Sequence, residues 1–258
     1  MIELSPDQVP ALSHWFAAGP PGAKALAEHA LVPGVGRWWA DRAVDPRTIA
    51  VACADHLLLR GEPTALAPIA LAPFTSHYVQ APARFLPLLG SAFDLLVPWE
   101  RMAYVHHVPV SPPRPPRGVT VRRLAPEDAP AVAALGADAA WIHASWGGPA
   151  GLAASGHGWA AFAKDRILGI ACTYFRGSTY EDVACMTVPE HRRQHLALAC
   201  VTALCQDIAA RGHTPSWTCS RDNRPSRLLA WHAGFRLEHE YVHYLTGQPA
   251  RRIAELTA

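Results

Sequence analysis

A strand stopped by a proline and released into a long helix constrains this chain more than any other feature. Asp182-Val183-Ala184-Cys185-Met186 is a short run of strand character, and Thr187-Val188-Pro189 ends it. Proline lacks an amide hydrogen and clashes with a preceding helical turn, so Pro189 lies outside any helix interior. Beyond it Leu196, Cys200, Leu204 and Ile208 recur at four-residue intervals, one face of a 3.6-residue period, which predicts a helix. The first amides of that helix have no intrahelical acceptor and sit at the positive end of its dipole. The turn is therefore a place for phosphate.

A second element follows at short range. Thr214-Pro215-Ser216-Trp217-Thr218-Cys219 reads as a strand, then come Asn223, Ser226 and Leu229, and then Gly234-Phe235. Gly234 suits a helix C-cap. The first element resembles the pyrophosphate motif of the GNAT N-acetyltransferases, a Val-x-Pro strand end followed by Arg/Gln-x-x-Gly-x-Gly/Ala. Arg192 stands at its first position and Ala197 at its last, while His195 replaces the middle glycine. The second element resembles the other GNAT signature, strand, Asn-x-x-Ser/Ala, helix, Gly-Phe. The resemblance covers about residues 118–246.

That resemblance implies an α/β (α+β) GNAT fold with a mixed central sheet in the C-terminal half. It also implies acetyl-CoA as cofactor, wedged between two splayed strands. By the same analogy Thr187, Val188, Arg192, Arg193, Gln194, His195, Leu196 and Ala197 hold the diphosphate end, and Asn223 and Ser226 line the pantetheine end. In the family the middle glycine lets the backbone approach the cofactor. His195 has a Cβ, so either its side chain points away or the cofactor shifts.

A chain of 258 residues is long for one such domain and suits two modest ones. The clearest boundary is Ser111-Pro112-Pro113-Arg114-Pro115-Pro116-Arg117, an extended connector by composition. The expected division is an N-terminal α/β domain at 1–110, a linker at 111–117, the acetyltransferase domain at 118–246 and a tail at 247–258. In the first half Arg37–Asp41 and Thr48–Arg60 read as a hairpin closed around Asp45-Pro46. Leu66–Ala72 and Phe85–Phe93 read as helices, and Met102–Val108 reads as a strand. That order fits either a degenerate GNAT-like half without a phosphate turn or an unrelated domain. In the second half Val119–Leu124, Gly158–Ala163, Ile167–Phe175 and Glu240–Leu245 read as strands, with a helix starting at Ala125-Pro126-Glu127-Asp128.

Charge excludes one class of partner. Net charge is +2, with nine acidic and nine basic side chains in residues 1–117 and twelve and fourteen in 118–258. No basic stripe for nucleic acid forms. No apolar run has membrane-spanning length, and the N-terminus has no signal-peptide pattern, so a cytoplasmic protein is expected. The six cysteines make no Cys-x-x-Cys pair and fall within apolar patterns, as small hydrophobes do. Fourteen histidines form no convincing ligand set, so no metal is expected. Oligomeric state stays open, a homodimer included.

Transfer from a thioester to an amine needs the amine held near the carbonyl and relieved of its proton. By family analogy the base stands near the start of the strand leading into the phosphate turn, where Glu181 and Asp182 lie. Neighbouring strand residues face opposite ways, so one of the two meets the cleft. Glu181 is favoured because Val183 and Cys185 turn its face inward. The tyrosine that many GNAT enzymes carry four residues before the Gly-Phe glycine is Ala230 here, and its neighbour Trp231 reads as core or a cofactor wall. Residues 139–163 contain no Asp, Glu, Lys or Arg and hold Trp141, Trp146, His157 and several glycines. They read either as an acceptor-binding flap or as packing against the first half. Trp141, Trp146, Tyr174 and Asp41 are the candidate substrate contacts, with Trp38-Trp39 beside Asp41. The acceptor expected is a small amine of aminoglycoside, kasugamycin-like type. A non-catalytic acyl-CoA or partner-binding module and a protein N-acetyltransferase are the alternatives.

Overall fold

The alternating apolar patterns fold as mixed α/β structure. The structure, a computed structural model, describes residues 1–16, 21–31 and 35–250. Twelve strands lie among the described residues: β1 (Ile2–Glu3), β2 (Gly36–Ala40), β3 (Thr48–Cys53), β4 (His56–Gly61), β5 (Tyr78–Gln80), β6 (Leu96–His106), β7 (Thr120–Arg123), β8 (Gly158–Ala163), β9 (Arg166–Arg176), β10 (Tyr180–Thr187), β11 (Thr214–Ser220) and β12 (Phe235–Thr246). The helices are α1 (Ala23–His29), α2 (Leu86–Ala92), α3 (Ala129–Ala133), α4 (Trp141–Ala144), α5 (Pro149–Ala154), α6 (Leu196–Ala210) and α7 (Arg224–His232). The tail expected at 247–258 lies outside the described residues from 251 on.

Two units emerge. One comprises Met1–Gly19, Leu26–Arg101 and Glu240–Ala258, and the other Pro20–Ala25 and Met102–His239. The chain thus passes from one unit to the other within β6 and returns within β12, where the sequence had put the division at the proline-rich segment 111–117. The reason lies in β6: Met102 and Tyr104 are buried with the apolar residues of α6 and β11.

In the first unit the strand order is β1-β2-β3-β4-β5-β12, with β1 to β4 an antiparallel meander and β4 parallel to β5. The stretch Thr48–Arg60, read as one strand, is a hairpin. Ala54 takes a left-handed backbone at φ 50°, and Cys53 pairs with His56. Between β4 and β5 the expected helix is a 3-10 turn over Pro68–Phe74, because Pro73 inside it has no amide hydrogen for an α-helical bond. Trp38 and Trp39 are core residues, and Trp39 packs edge-on to Phe74 with ring centres 4.9 Å apart.

In the second unit the order is β12-β6-β11-β10-β9-β8-β7. Here β7 to β10 form an antiparallel meander, and β10 runs parallel to β11. Leu196, Cys200, Leu204 and Ile208 of α6 are all buried, and pack with Leu168, Val183 and Trp217 on one face of the sheet. Val132 of α3, Ile142 of α4 and Leu152 of α5 cover the other face with Ile170 and Cys172. Residues 139–163 thus contain two short helices, α4 and α5, anchored on the sheet, and the strand β8. After α7, Gly234 takes φ 93°, and a Cβ there would lie 1.9 Å from the Val108 carbonyl oxygen, so only glycine closes this turn.

Candidate active site

The site begins where a strand pair comes apart. β10 and β11 pair from Tyr180↔Thr214 to Val183↔Trp217 and no further, although β10 runs on to Thr187 and β11 to Ser220. The other edge of β10 stays paired with β9 as far as Thr187↔Gly169. A cleft thus opens between Ala184–Thr187 and Thr218–Ser220, both in the middle of the second unit's sheet. Backbone amides and carbonyls on its walls need a partner from outside the ladder.

The mouth of this cleft leads to the N-terminus of α6. Val188 donates its amide to the Leu168 carbonyl, and Pro189–His191 makes a 3-10 turn. Arg193 and His195 then both take left-handed backbone, at φ 62° and 58°. The Ala199 amide donates to the His195 carbonyl at 3.0 Å, so the amides of Leu196, Ala197 and Leu198 precede the first intrahelical bond. No acidic residue occupies the first turn, and Arg192, Arg193, Gln194 and His195 are exposed. His195 thus holds the backbone shape a glycine would hold. Left-handed geometry costs an L-residue about 1–2 kcal/mol. The burial of Leu196 and Cys200 directly behind it fixes the turn. Strain of this kind gathers at ligand-binding turns. The donors present fit acetyl-CoA: a basic, acid-free helix start for the diphosphate and an open strand edge for the pantetheine amides.

Glu181 and Asp182 face opposite sides of β10. Glu181 faces α6 and is completely buried, without solvent-exposed surface. Arg211 grips it in a fork, Nε to Oε1 at 3.1 Å and Nη2 to Oε2 at 2.8 Å. His213 Nδ1 lies 2.8 Å from Oε1, and the Thr173 hydroxyl donates to Oε2 at 2.5 Å. Burial alone would raise the pKa of Glu181. The hydrogen bonds from Arg211 and Thr173, the charge of Arg211 and the contact with His213 outweigh that and hold it below the usual carboxylate range. Arg211 continues to Asp207 at 2.8 Å, which also pairs with Arg123. Nearby His157, pushed down to about 4 chiefly by burial, stacks on Trp146 with ring centres 5.3 Å apart. Glu181 is thus the centre of a buried ionic fastening at the C-terminal end of α6.

Asp182 faces the α3–α5 side. It pairs with Ser216 one step before the strands part, and its Oδ2 accepts from the Thr218 hydroxyl at 3.1 Å. It is the carboxylate at the closed end of the cleft. Directly beside it β9 carries an extra residue: Phe175 pairs with Asp182 and Thr173 with Val183, leaving Tyr174 as a bulge. Bulges re-aim side chains. The ring of Tyr174 lies 6.4 Å from that of Trp141 on α4, which is 45% exposed.

Other predicted residues take different posts. Asn223 caps α7, its Oδ1 accepting the Ser226 amide at 3.1 Å, and the Ser226 hydroxyl accepts from Trp217 Nε1 at 3.0 Å. Ala230 is fully buried, and Trp231 is 57% exposed under the Arg236 guanidinium, so Trp231 is not core. Trp146 donates its Nε1 hydrogen to the Thr173 carbonyl at 2.7 Å, a structural bond. Asp41 accepts the amides of Arg47 and Thr48 at 2.8 and 2.9 Å and so ties the β2–β3 turn of the first unit. Sequence reasoning missed Thr218, Arg211 and His213. Thr218 was visible as a polar residue between Trp217 and Cys219; Arg211 and His213 had no local signal. Among the described residues no group of three or more His, Cys, Asp or Glu side chains could hold a metal, and no helix is long and apolar enough to cross a membrane.

Known proteins resemble this chain. The GNAT acetyltransferase family profile matches residues 114–244. A Streptomyces virginiae protein named "Uncharacterized N-acetyltransferase in mutA 5'region" is 64% identical over 214 residues, 83% of this chain and 90% of that one. A crystal structure of a GCN5-related N-acetyltransferase-like protein from Streptococcus suis superposes with a TM-score of 0.70 at 15% identity, covering 93% of this chain and 99% of that one. A tandem GNAT protein from the clavulanic acid biosynthesis pathway superposes at 0.60 with 14% identity, covering 94% and 96%. The two structures speak for the fold. The Streptomyces protein, alike in two residues of every three, extends the kinship to sequence, and the chain belongs to the GNAT acetyltransferase family.

Proposed function

We propose that the acceptor is the primary amine of a small molecule, an amino sugar of aminoglycoside type, and that Asp182 receives its proton. The observation carrying this reading is the position of Asp182 at the closed end of the β10–β11 cleft, hydrogen-bonded to Thr218. Acetyl-CoA, the donor used by this family, supplies the acyl group already activated as a thioester. The α6 amides with Arg192 and Arg193 hold its diphosphate, and the open edge of Ala184–Thr187 aligns the rest. The Thr218 hydroxyl holds one Asp182 oxygen, leaving the carboxylate oriented towards an incoming ammonium. Proximity supplies much of the acceleration.

An amino sugar suits the neighbouring groups. A carboxylate answers its ammonium, and the exposed face of Trp141 beside Tyr174 answers its ring. We read the first unit as a degenerate GNAT-like half. Its meander β1–β4 and parallel β4–β5 repeat the order of β7–β10 and β10–β11, while a proline-bearing 3-10 turn stands where the second unit has α6. Among its described residues no long helix starts between β4 and β5 to seat a diphosphate.

The test is acetyl-CoA turnover on a panel of kasugamycin-like and 2-deoxystreptamine aminoglycosides, polyamines, amino acids and peptides, with mass analysis of products. One acetyl group on one amino-sugar nitrogen is the expected result. Transfer to peptides alone would replace this reading with protein acetylation. Acetyl-CoA binding without any turnover would leave a non-catalytic module.

A further inference from the structure

The first unit carries a buried cation that no group among the described residues neutralises. Arg101, on β6, is only 9% exposed, and its Nε is sealed from solvent with no hydrogen-bond acceptor. No ion pair with Arg101 occurs among the described residues. Its guanidinium carbon sits 4.4 Å over the centre of the Trp99 ring, which occupies one face and leaves the edge for hydrogen bonding. On β12 next to β6, His243 is 4% exposed and its Nδ1 is likewise sealed without a partner. His56 of β4 lies edge-on to His243 at 5.7 Å and stacks on Tyr78 of β5 at 5.2 Å, and Tyr241 flanks His243 at 5.1 Å. Four strands thus bring two unsatisfied polar groups and a set of flat rings to one place.

We propose that Arg101 and His243 form a binding site for a monocarboxylate attached to a flat apolar body. A sealed Nε–H without an acceptor is costly, so a folded chain retains it where something fills that hydrogen bond. The planar fork of arginine matches the two oxygens of a carboxylate. Net charge selects a monoanion. Burial first, and then the charge of Arg101, pushes His56 down to about 3 and His243 well below the imidazole range. Both rings are therefore neutral at neutral pH, and Arg101 supplies a single positive charge. A phosphate dianion would leave one charge buried and unanswered. The rings of Trp99, Tyr78 and His56 give the ligand body an aromatic lining. All of these residues belong to the first unit.

The test is titration calorimetry of the full chain with benzoate, acetate and inorganic phosphate, with acetyl-CoA at saturation so that the α6 turn is filled. Imidazole nitrogen NMR, read against His56→Asn and His243→Asn, locates the response. Benzoate is expected to bind saturably at millimolar concentration or below, more tightly than acetate, and to move the signals of His56 and His243. Arg101→Gln should weaken it by about tenfold or more, the loss of a charge-assisted bond. Should that variant not fold, Arg101→Lys, which keeps the charge and loses the fork, must weaken benzoate by a similar factor. Absence of saturable binding in the wild type overturns the site. So does equal affinity in the arginine variants, or phosphate binding tighter than benzoate.

Discussion

At Ala197 two requirements pull in opposite directions, and a single substitution separates them. Ala197 is the second residue of α6, among amides that have no intrahelical acceptor. A carboxylate there favours the helix dipole by about 0.3–1 kcal/mol but repels a diphosphate. Ala197→Glu should therefore leave thermal stability unchanged or slightly raised while weakening acetyl-CoA at least tenfold by calorimetry. A loss of stability in parallel with affinity would mean that the turn has another purpose. The residues of this turn were legible because local rules govern them: proline stops the strand, and the helix period begins at Leu196. His195 was legible as a departure, but its consequence was not. Whether a non-glycine residue there moves the backbone depends on the anchoring of Leu196 and Cys200, which only the fold supplies. The ranking of Glu181 over Asp182 went by the inward face alone. It could not register that the inward face meets Arg211 and His213, thirty and thirty-two residues away.

At the scale of elements, the fastening of β10 to the end of α6 is a stability device with a pH signature. Removing one member of a buried pair typically costs about 3–5 kcal/mol, and Arg211 retains Asp207, so Glu181→Gln should destabilise by about 2–3 kcal/mol in urea. Acetyl-CoA affinity of the folded variant should stay within about twofold, since Glu181 is outside the cleft. The sign of the pH dependence follows from the two groups. Glu181 is depressed when folded, so its contribution is complete above about 4.3 and is lost as pH falls through its lower folded value. His157 is held at about 4 when folded. Below the ordinary imidazole value of about 6.5 the unfolded chain therefore binds the extra proton, and stability falls with pH across that window. Urea midpoints measured from pH 7 to 4.5 should decline steadily, and His157→Phe should flatten the decline. An unchanged slope would remove His157 from this account. The elements themselves were readable wherever one period dominated, as in β8, β11 and α6. They were misread where prolines or a two-residue turn intervened, as at Pro68–Phe74 and at Ala54-Asp55, since local spacing there fits more than one backbone.

For the whole molecule, the proline-rich segment is a poor place to cut. A chain beginning at Gly118 loses Met102 and Tyr104, which are buried with Val183, Trp217 and Phe235 in the second unit. It should fail to fold cooperatively, as judged by broad thermal unfolding and loss of acetyl-CoA binding. A well-folded, CoA-binding fragment would contradict the place given to β6. Composition predicted two units but put their boundary at the prolines, because a strand that serves both units leaves no compositional mark. The central claim is that the acyl donor enters the β10–β11 cleft and that Asp182, not Glu181, takes the proton of the amine. The most direct measurement is the rate of acetyl transfer by Asp182→Asn beside the wild type, on the amine that the wild type uses best, with acetyl-CoA affinity measured on both. The account predicts a fall in kcat of about 10²–10⁴-fold, the usual worth of a positioned base, with acetyl-CoA affinity unchanged within about twofold. Wild-type turnover in Asp182→Asn would contradict it.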